Sequence, residues 1–76
     1  MVSYIVKEIM AWFQEHRYAH SGLVRDVSLA EFNCKPDKAM LYVDSLAAAG
    51  KLRREGLYVR IEPLVRRDGE VFPWEK

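Results

Sequence analysis

The sequence is poor in the features from which several classes of protein are built. It contains one cysteine, Cys34, which excludes an internal disulfide and any metal site made of several cysteines. No apolar stretch approaches the length that crosses a membrane, and Met1–Met10 lacks the basic leader and apolar run of a secretory signal. We therefore expect a cytoplasmic protein that has no membrane partner.

Motifs for catalysis and cofactor binding are also lacking. There is no glycine-rich phosphate loop, and no Ser/His/Asp order or pair of carboxylates indicates a catalytic site. His16 and His20 are four residues apart, which suits a metal only if both lie on one helix. Because that helix is predicted to end near Arg17, we interpret the two histidines as a surface or helix-end pair. We interpret Cys34 as a small apolar side chain in a turn, and the chain as a non-enzyme without cofactor or metal.

Net charge is small but unevenly distributed. The formal net charge is +1, with five Lys/Arg and six Asp/Glu in residues 1–50 against seven and five in residues 51–76. Within Lys51–Arg67 six basic residues face two acidic ones, a local charge of +4. A dedicated nucleic-acid binder would be more basic overall, so the charge indicates at most one short basic surface.

The 76 residues, half of them apolar, fit a single domain that begins with an amphipathic helix. Ser3 is a suitable N-cap for a first helix over about residues 3–17. Its apolar stripe recurs at steps of three and four and comprises Ile5, Ile9, Trp12, Phe13 and His16. Tyr18–Gly22 breaks this pattern, and Ser21-Gly22 is typical of a turn.

A short second helix is predicted over Val27–Phe32, with Leu29 and Phe32 facing the core. Asn33 follows it and tolerates the left-handed conformation in which helices often end. Leu23-Val24 precedes it and is compatible with a short strand or with the entry to the helix, since so few residues show no period.

The third helix is predicted over Pro36–Ala49. Proline is favoured at the first helical position, and Asp37 in the first turn suits the helix dipole. Gly50 is well placed to end the helix. The expected buried row consists of Ala39, Val43 and Leu46.

Alternating residues after Gly50 predict a β-hairpin over about residues 52–62. Its strands contain Leu52 and Arg54 on one side and Leu57, Val59 and Ile61 on the other, and they meet around Glu55-Gly56. Pro63 ends the second strand, and residues 63–76 form a tail. A turn over Arg67–Glu70 makes this tail either a second small hairpin or a looser segment, and Trp74 is expected to fold back onto the body.

Two stretches together resemble the winged helix-turn-helix superfamily of small bacterial and phage-type DNA-binding domains. The first runs from Leu29 to Pro36, and the second contains Leu46, Ala49-Gly50, Leu52, Arg54 and Gly56 in that order. The resemblance implies an α+β fold of three helices with a C-terminal β-hairpin wing, formed by residues 1–76 as one domain. The helix-turn-helix would span about residues 27–49.

The same resemblance implies a transcriptional regulator that binds duplex DNA. The N-terminal half of the third helix would face base edges in the major groove, and the wing would contact the backbone or the adjacent minor groove. Asp37 and Asp44 on that helix would face or flank phosphates, which is electrostatically unfavourable. Arg66 and Arg67 are further candidates for backbone contacts. The residues expected to contact DNA are Lys35, Lys38, Tyr42, Ser45, Arg53, Arg54 and Arg60.

A protein-interaction module on the same fold is the alternative. Met40, Leu41 and Tyr42 form a run of large side chains on the third helix, and Phe72-Pro73-Trp74 adds apolar surface in the tail. An exposed apolar patch of this kind suits a protein partner or a homodimer better than a duplex. Met40 and Tyr42 could equally pack against the first helix or the tail, and the sequence leaves both readings open.

Overall fold

The computed structural model describes residues 4–75, which form three α-helices and one three-stranded antiparallel sheet of order β1-β3-β2. This confirms the α+β class and the three helices, while the predicted cap at Ser3 lies outside the described residues. The elements are α1 (Tyr4–His16), β1 (Tyr18–His20), α2 (Ser21–Phe32), α3 (Pro36–Ala48), β2 (Leu52–Glu55), β3 (Tyr58–Ile61) and a 3-10 turn (Pro73–Glu75). None of the described helices is long and apolar enough to cross a membrane.

Helix α1 places its apolar stripe in the core, with one exception. Ile9, Trp12 and Phe13 are buried, and Ile5 packs half-buried against them. His16 is exposed, in contrast to the prediction. Its ring stacks on Trp12 with centroids 4.1 Å apart, and its Nδ1 lies 2.9 Å from the Trp12 carbonyl oxygen. At the last turn of the helix the polar imidazole therefore remains in contact with solvent.

Helix α2 is twice as long as the six residues predicted for it. It begins at Ser21, so the prediction of a turn at Ser21-Gly22 was wrong, and Leu23-Val24 belong to the helix. The helix begins here because His20 acts as its N-cap: the backbone of His20 is extended, and its Nδ1 accepts a hydrogen bond from the Gly22 amide at 2.9 Å. Histidine is not among the residues whose presence normally signals a cap.

The buried face of α2 also differs from the prediction. Val24, Ser28 and Phe32 face the core at intervals of four, whereas Leu29 is 63% exposed. A serine can occupy the central core position because its Oγ donates to the Arg25 carbonyl oxygen at 2.8 Å, which satisfies the hydroxyl. The left-handed conformation predicted for the residue after the helix is confirmed, with φ 51° at Asn33.

Helix α3 matches its prediction closely. It starts with Pro36 and ends one residue earlier than expected, at Ala48. Gly50 follows with φ 78°, the left-handed conformation in which glycine is favoured, so its predicted role in ending the helix is confirmed. The row of Ala39, Val43 and Leu46 is buried, as predicted.

The predicted hairpin is present, and a third strand that the sequence analysis missed completes the sheet. β2 and β3 are joined by Gly56-Leu57, and β1 pairs with the other edge of β3. The strand β1 has three residues, too few for an alternating pattern to be recognised. The three strands direct small and apolar side chains towards the helices, and these are Ala19, Leu52, Val59 and Ile61.

The tail packs against the outer face of the sheet. The Trp74 ring lies 5.3 Å from that of Tyr18 and 5.9 Å from that of Tyr58, which confirms that Trp74 folds back. Phe72 is 5% exposed. The turn at Arg67–Glu70 is closed by a 3.0 Å hydrogen bond from the Glu70 amide to the Arg67 carbonyl oxygen. No strand flanks this turn within residues 63–75. Of the two predicted forms, the tail therefore adopts the looser segment and not a second hairpin.

Candidate nucleic-acid interface

The outward face of α3 carries most of the residues that were singled out from the sequence. Lys35, Lys38 and Ser45 are exposed, as is Leu41 beside them. Tyr42 is half-buried and packs against the core, so it offers less of its surface to a partner than expected. Helix α2 packs against α3 on the inner side, and Asp37, Lys38 and Leu41 of the N-terminal half of α3 face solvent.

Two lysines at the start of α3 have no acidic partner. Among residues 4–75, no carboxylate oxygen lies within 4.0 Å of the amino groups of Lys35 or Lys38. Lys35 is the N-cap residue, and its side chain makes no capping bond. The first amides of α3 therefore add the positive end of the helix dipole to the two ammonium charges. This corner of the molecule is suited to an anion.

The two aspartates expected to repel phosphate are both ion-paired. Arg25 Nη2 lies 2.8 Å from Asp37 Oδ1, and Arg54 Nη2 lies 2.9 Å from Asp44 Oδ1. The net charge of the surface around these aspartates is +2, because it also holds four cations, which are Arg25, Lys35, Lys38 and Arg54. Arg25 was not predicted as a site residue, because its nearness to α3 depends on α2 beginning at Ser21. We call this surface the α3 face; it consists of Arg25, Lys35, Asp37, Lys38, Leu41, Asp44, Ser45 and Arg54.

The other arginines predicted on the hairpin lie on the opposite side of the sheet. Arg53 and Arg60 are cross-strand partners, and both face Glu55 and Glu62. The Arg53 guanidinium lies 3.6 Å from Glu62 and 3.9 Å from Glu55, and that of Arg60 lies 3.2 Å and 3.6 Å from the same two carboxylates. The Arg60 side chain is only 13% exposed. The charges of Arg53 and Arg60 are therefore balanced by the two acidic residues of the same segment, and its excess of +4 is carried by Lys51, Arg54, Arg66 and Arg67.

The tail is held by arginine–glutamate pairs. Arg17 binds both carboxylate oxygens of Glu70 at 2.7 Å and also donates to the Val65 carbonyl oxygen at 2.7 Å. These hydrogen bonds from Arg17, together with one from the Arg67 amide, lower the pKa of Glu70 to about 2. Arg66, a predicted backbone contact, instead pairs with Glu75 at 2.6 Å.

Arg66 is held on a second side as well, because its guanidinium lies 4.7 Å from the centroid of the Phe72 ring. Its hydrogen bonds also lower the pKa of Glu75. Arg67, the other predicted backbone contact in the tail, is exposed. The pairing of Arg17 with Glu70 joins residues 53 positions apart, and neither was singled out from the sequence.

The remaining candidate residues have structural partners. The ring nitrogen Nδ1 of His16 and that of His20 are each engaged with the backbone, as described above. Cys34 is buried, and its Sγ donates to the Lys35 carbonyl oxygen at 3.4 Å. Within residues 4–75 no group of three or more His, Cys, Asp or Glu side chains is arranged to hold a metal.

Comparison of the chain with protein-family models, with curated proteins and with solved structures gave no match.

Proposed function

We propose that the chain is a small winged helix-turn-helix protein that binds duplex DNA and acts as a transcriptional regulator in the cytoplasm. The order α1-β1-α2-α3-β2-β3 and the sheet order β1-β3-β2 are compatible with that layout, in which the hairpin after α3 is the wing. The three residues between α2 and α3 have the length typical of a helix-turn-helix connection. We propose no catalytic activity.

The observation that carries the proposal is the pair of unpaired lysines on the exposed start of α3. In helix-turn-helix proteins the second helix of the motif enters the major groove with its N-terminal residues leading. Lys35 and Lys38 occupy those positions, and Arg25 on α2 lies beside them. The arrangement combines unpaired positive charge with the helix dipole at the point where the duplex would approach.

We expect phosphate contacts to dominate this binding. Lys35, Lys38, Arg25 and Arg54 are the cations within reach of the backbone, and Ser45 can donate a hydrogen bond to a phosphate or a base. Arg53 and Arg60 would contribute little, since both face Glu55 and Glu62 on the outer side of the sheet.

A titration across salt concentrations tests the proposal. A fluorescent duplex of about 20 base pairs, or about two helical turns, is titrated with the protein and followed by anisotropy. Two to four phosphate contacts predict that the logarithm of the binding constant falls by about 2 to 4 per tenfold increase in salt. Undetectable binding at low salt, or an affinity that does not depend on salt, would contradict DNA binding.

Exposed leucines support the alternative function, a protein-interaction module. Leu41 is 66% exposed and Leu29 is 63% exposed. The rest of the predicted apolar run is less available, since Met40 and Tyr42 pack half-buried against the core and Phe72 is buried. Sedimentation of the protein at increasing concentration, alone and with the duplex, separates the two functions. Apolar self-association of the protein alone persists at high salt, whereas the complex with the duplex is lost there.

A further inference from the structure

Leu41 is a large apolar side chain in the middle of the α3 face. It is 66% exposed, whereas Ala39, Val43 and Leu46 of the same helix are buried. Lys38 precedes it by three residues and Ser45 follows it by four, so the three side chains lie in one row on the helix surface. Leu41, between a cation and a hydroxyl in this row, is placed to contact the surface on which the helix docks.

The α3 face has few side chains that can read bases by hydrogen bonds. Within Pro36–Ala48 there is no Arg, Asn or Gln, and Lys38 is the one side chain that could recognise guanine with two hydrogen bonds. Asp37 and Asp44 could accept from cytosine, but their Oδ1 atoms are held by Arg25 and Arg54. Lys38 and Ser45 can form hydrogen bonds with bases, whereas Leu41 between them can offer a base edge only apolar contact.

Only one standard base edge in the major groove of DNA is matched to an apolar side chain. Thymine carries a C5 methyl group there, whereas adenine, guanine and cytosine present hydrogen-bonding groups. An open cleft of about 480 Å³ lies beside Leu41 and is lined in addition by Arg25, Lys35, Pro36, Asp37 and Lys38. The cleft gives a methyl group space to enter, and the unpaired lysines at its rim attract the phosphates on either side.

We propose that Leu41 is a specificity-determining residue that contacts thymine methyl groups, so that the protein prefers duplexes with thymine at the central positions of its site. The inference rests on the proposed function, because it concerns which duplex the α3 face selects. Leu41 sets the preference among sequences, and the surrounding cations supply affinity that is common to all of them.

Replacement of thymine by deoxyuridine tests this inference, since uracil lacks only the methyl group. Two duplexes of identical thymine-rich sequence, one with thymine and one with uracil, are titrated at low salt. The wild-type protein is expected to bind the thymine duplex about fourfold more tightly for each methyl group contacted. Leu41→Ala is expected to bind both duplexes equally, with an unchanged salt dependence because no cation is altered.

Leu29→Ala provides the matched control. Leu29 is equally exposed but lies on α2, so this variant should retain the preference of the wild-type protein for thymine. Equal wild-type affinity for the two duplexes, or a thymine preference that survives in Leu41→Ala, would overturn the inference and leave DNA binding intact. Absence of binding to both duplexes would overturn the proposed function itself.

Discussion

Replacing Lys35 and Lys38 together with glutamate is expected to abolish measurable DNA binding. The double change converts the net charge of the α3 face from +2 to −2, at the end of the helix that would lead into the groove. Two attractive phosphate contacts then become repulsive, and we expect the affinity at about 50 mM salt to fall at least about a hundredfold. The corresponding alanine variant should reduce the salt dependence by about 0.9 for each lysine.

A single-residue comparison separates the α3 face from an effect of net charge. Lys38→Glu and Lys7→Glu alter the charge of the protein equally, but Lys7 is exposed on α1, outside the α3 face. We expect Lys38→Glu to weaken binding strongly and Lys7→Glu to change it little. Similar losses in both variants would mean that the α3 face is not the site. Circular dichroism and melting temperature serve to verify folding, since both side chains lie in solvent.

Glu70→Gln is expected to loosen the tail from the sheet and to lower the melting temperature at neutral pH. The glutamine cannot accept two charge-assisted hydrogen bonds from Arg17, which the carboxylate does at 2.7 Å. We also expect trypsin to cleave the variant faster after Arg66 or Arg67, because proteolysis follows the population of locally opened chain. Asp68→Asn is the matched control, since Asp68 lies exposed in the same turn and has no ion pair in the described chain.

The pH dependence of this effect follows from the lowered pKa of Glu70. The pKa is about 2 in the folded protein against an ordinary value of 4.5, so the stabilisation is complete above pH 4.5 and is lost as the pH falls towards 2. The difference in melting temperature between wild-type protein and Glu70→Gln should therefore be largest at neutral pH and shrink over this interval. Equal melting temperatures at pH 7 would show that the Arg17–Glu70 pair does not hold the tail.

The elements that could be predicted from the sequence are those with strong local signals. Helix α3 has proline at its start, glycine after its end and a regular apolar row, and all three act within the helix itself. The start of α2 could not be predicted because its cap is His20, and β1 could not because three residues show no period. A polar core residue, Ser28, explains why Leu29 was assigned to the wrong side.

The candidate site was predictable to a similar extent. The exposure of Lys35, Lys38 and Ser45 follows from the helical period of α3. The pairing of Arg25 with Asp37 and the position of Arg60 beside the tail, with which it lines one cleft, depend on contacts between distant parts of the chain, which composition and spacing do not reveal. The count of basic residues after Gly50 therefore overstated the unpaired positive charge on the hairpin. It also gave no sign of Arg25, the cation that α2 adds to the α3 face.

The central claim, that the α3 face binds duplex DNA, is tested most directly by following the amides of the protein during a titration. Isotope-labelled protein is mixed with a duplex of about 20 base pairs at low salt, and the chemical shift of each amide is recorded. We predict that the changes concentrate in residues 35–45 and around Arg25 and Arg54, with α1 and the tail little affected. Changes confined to α1 or the tail, or no changes at all, would contradict the claim.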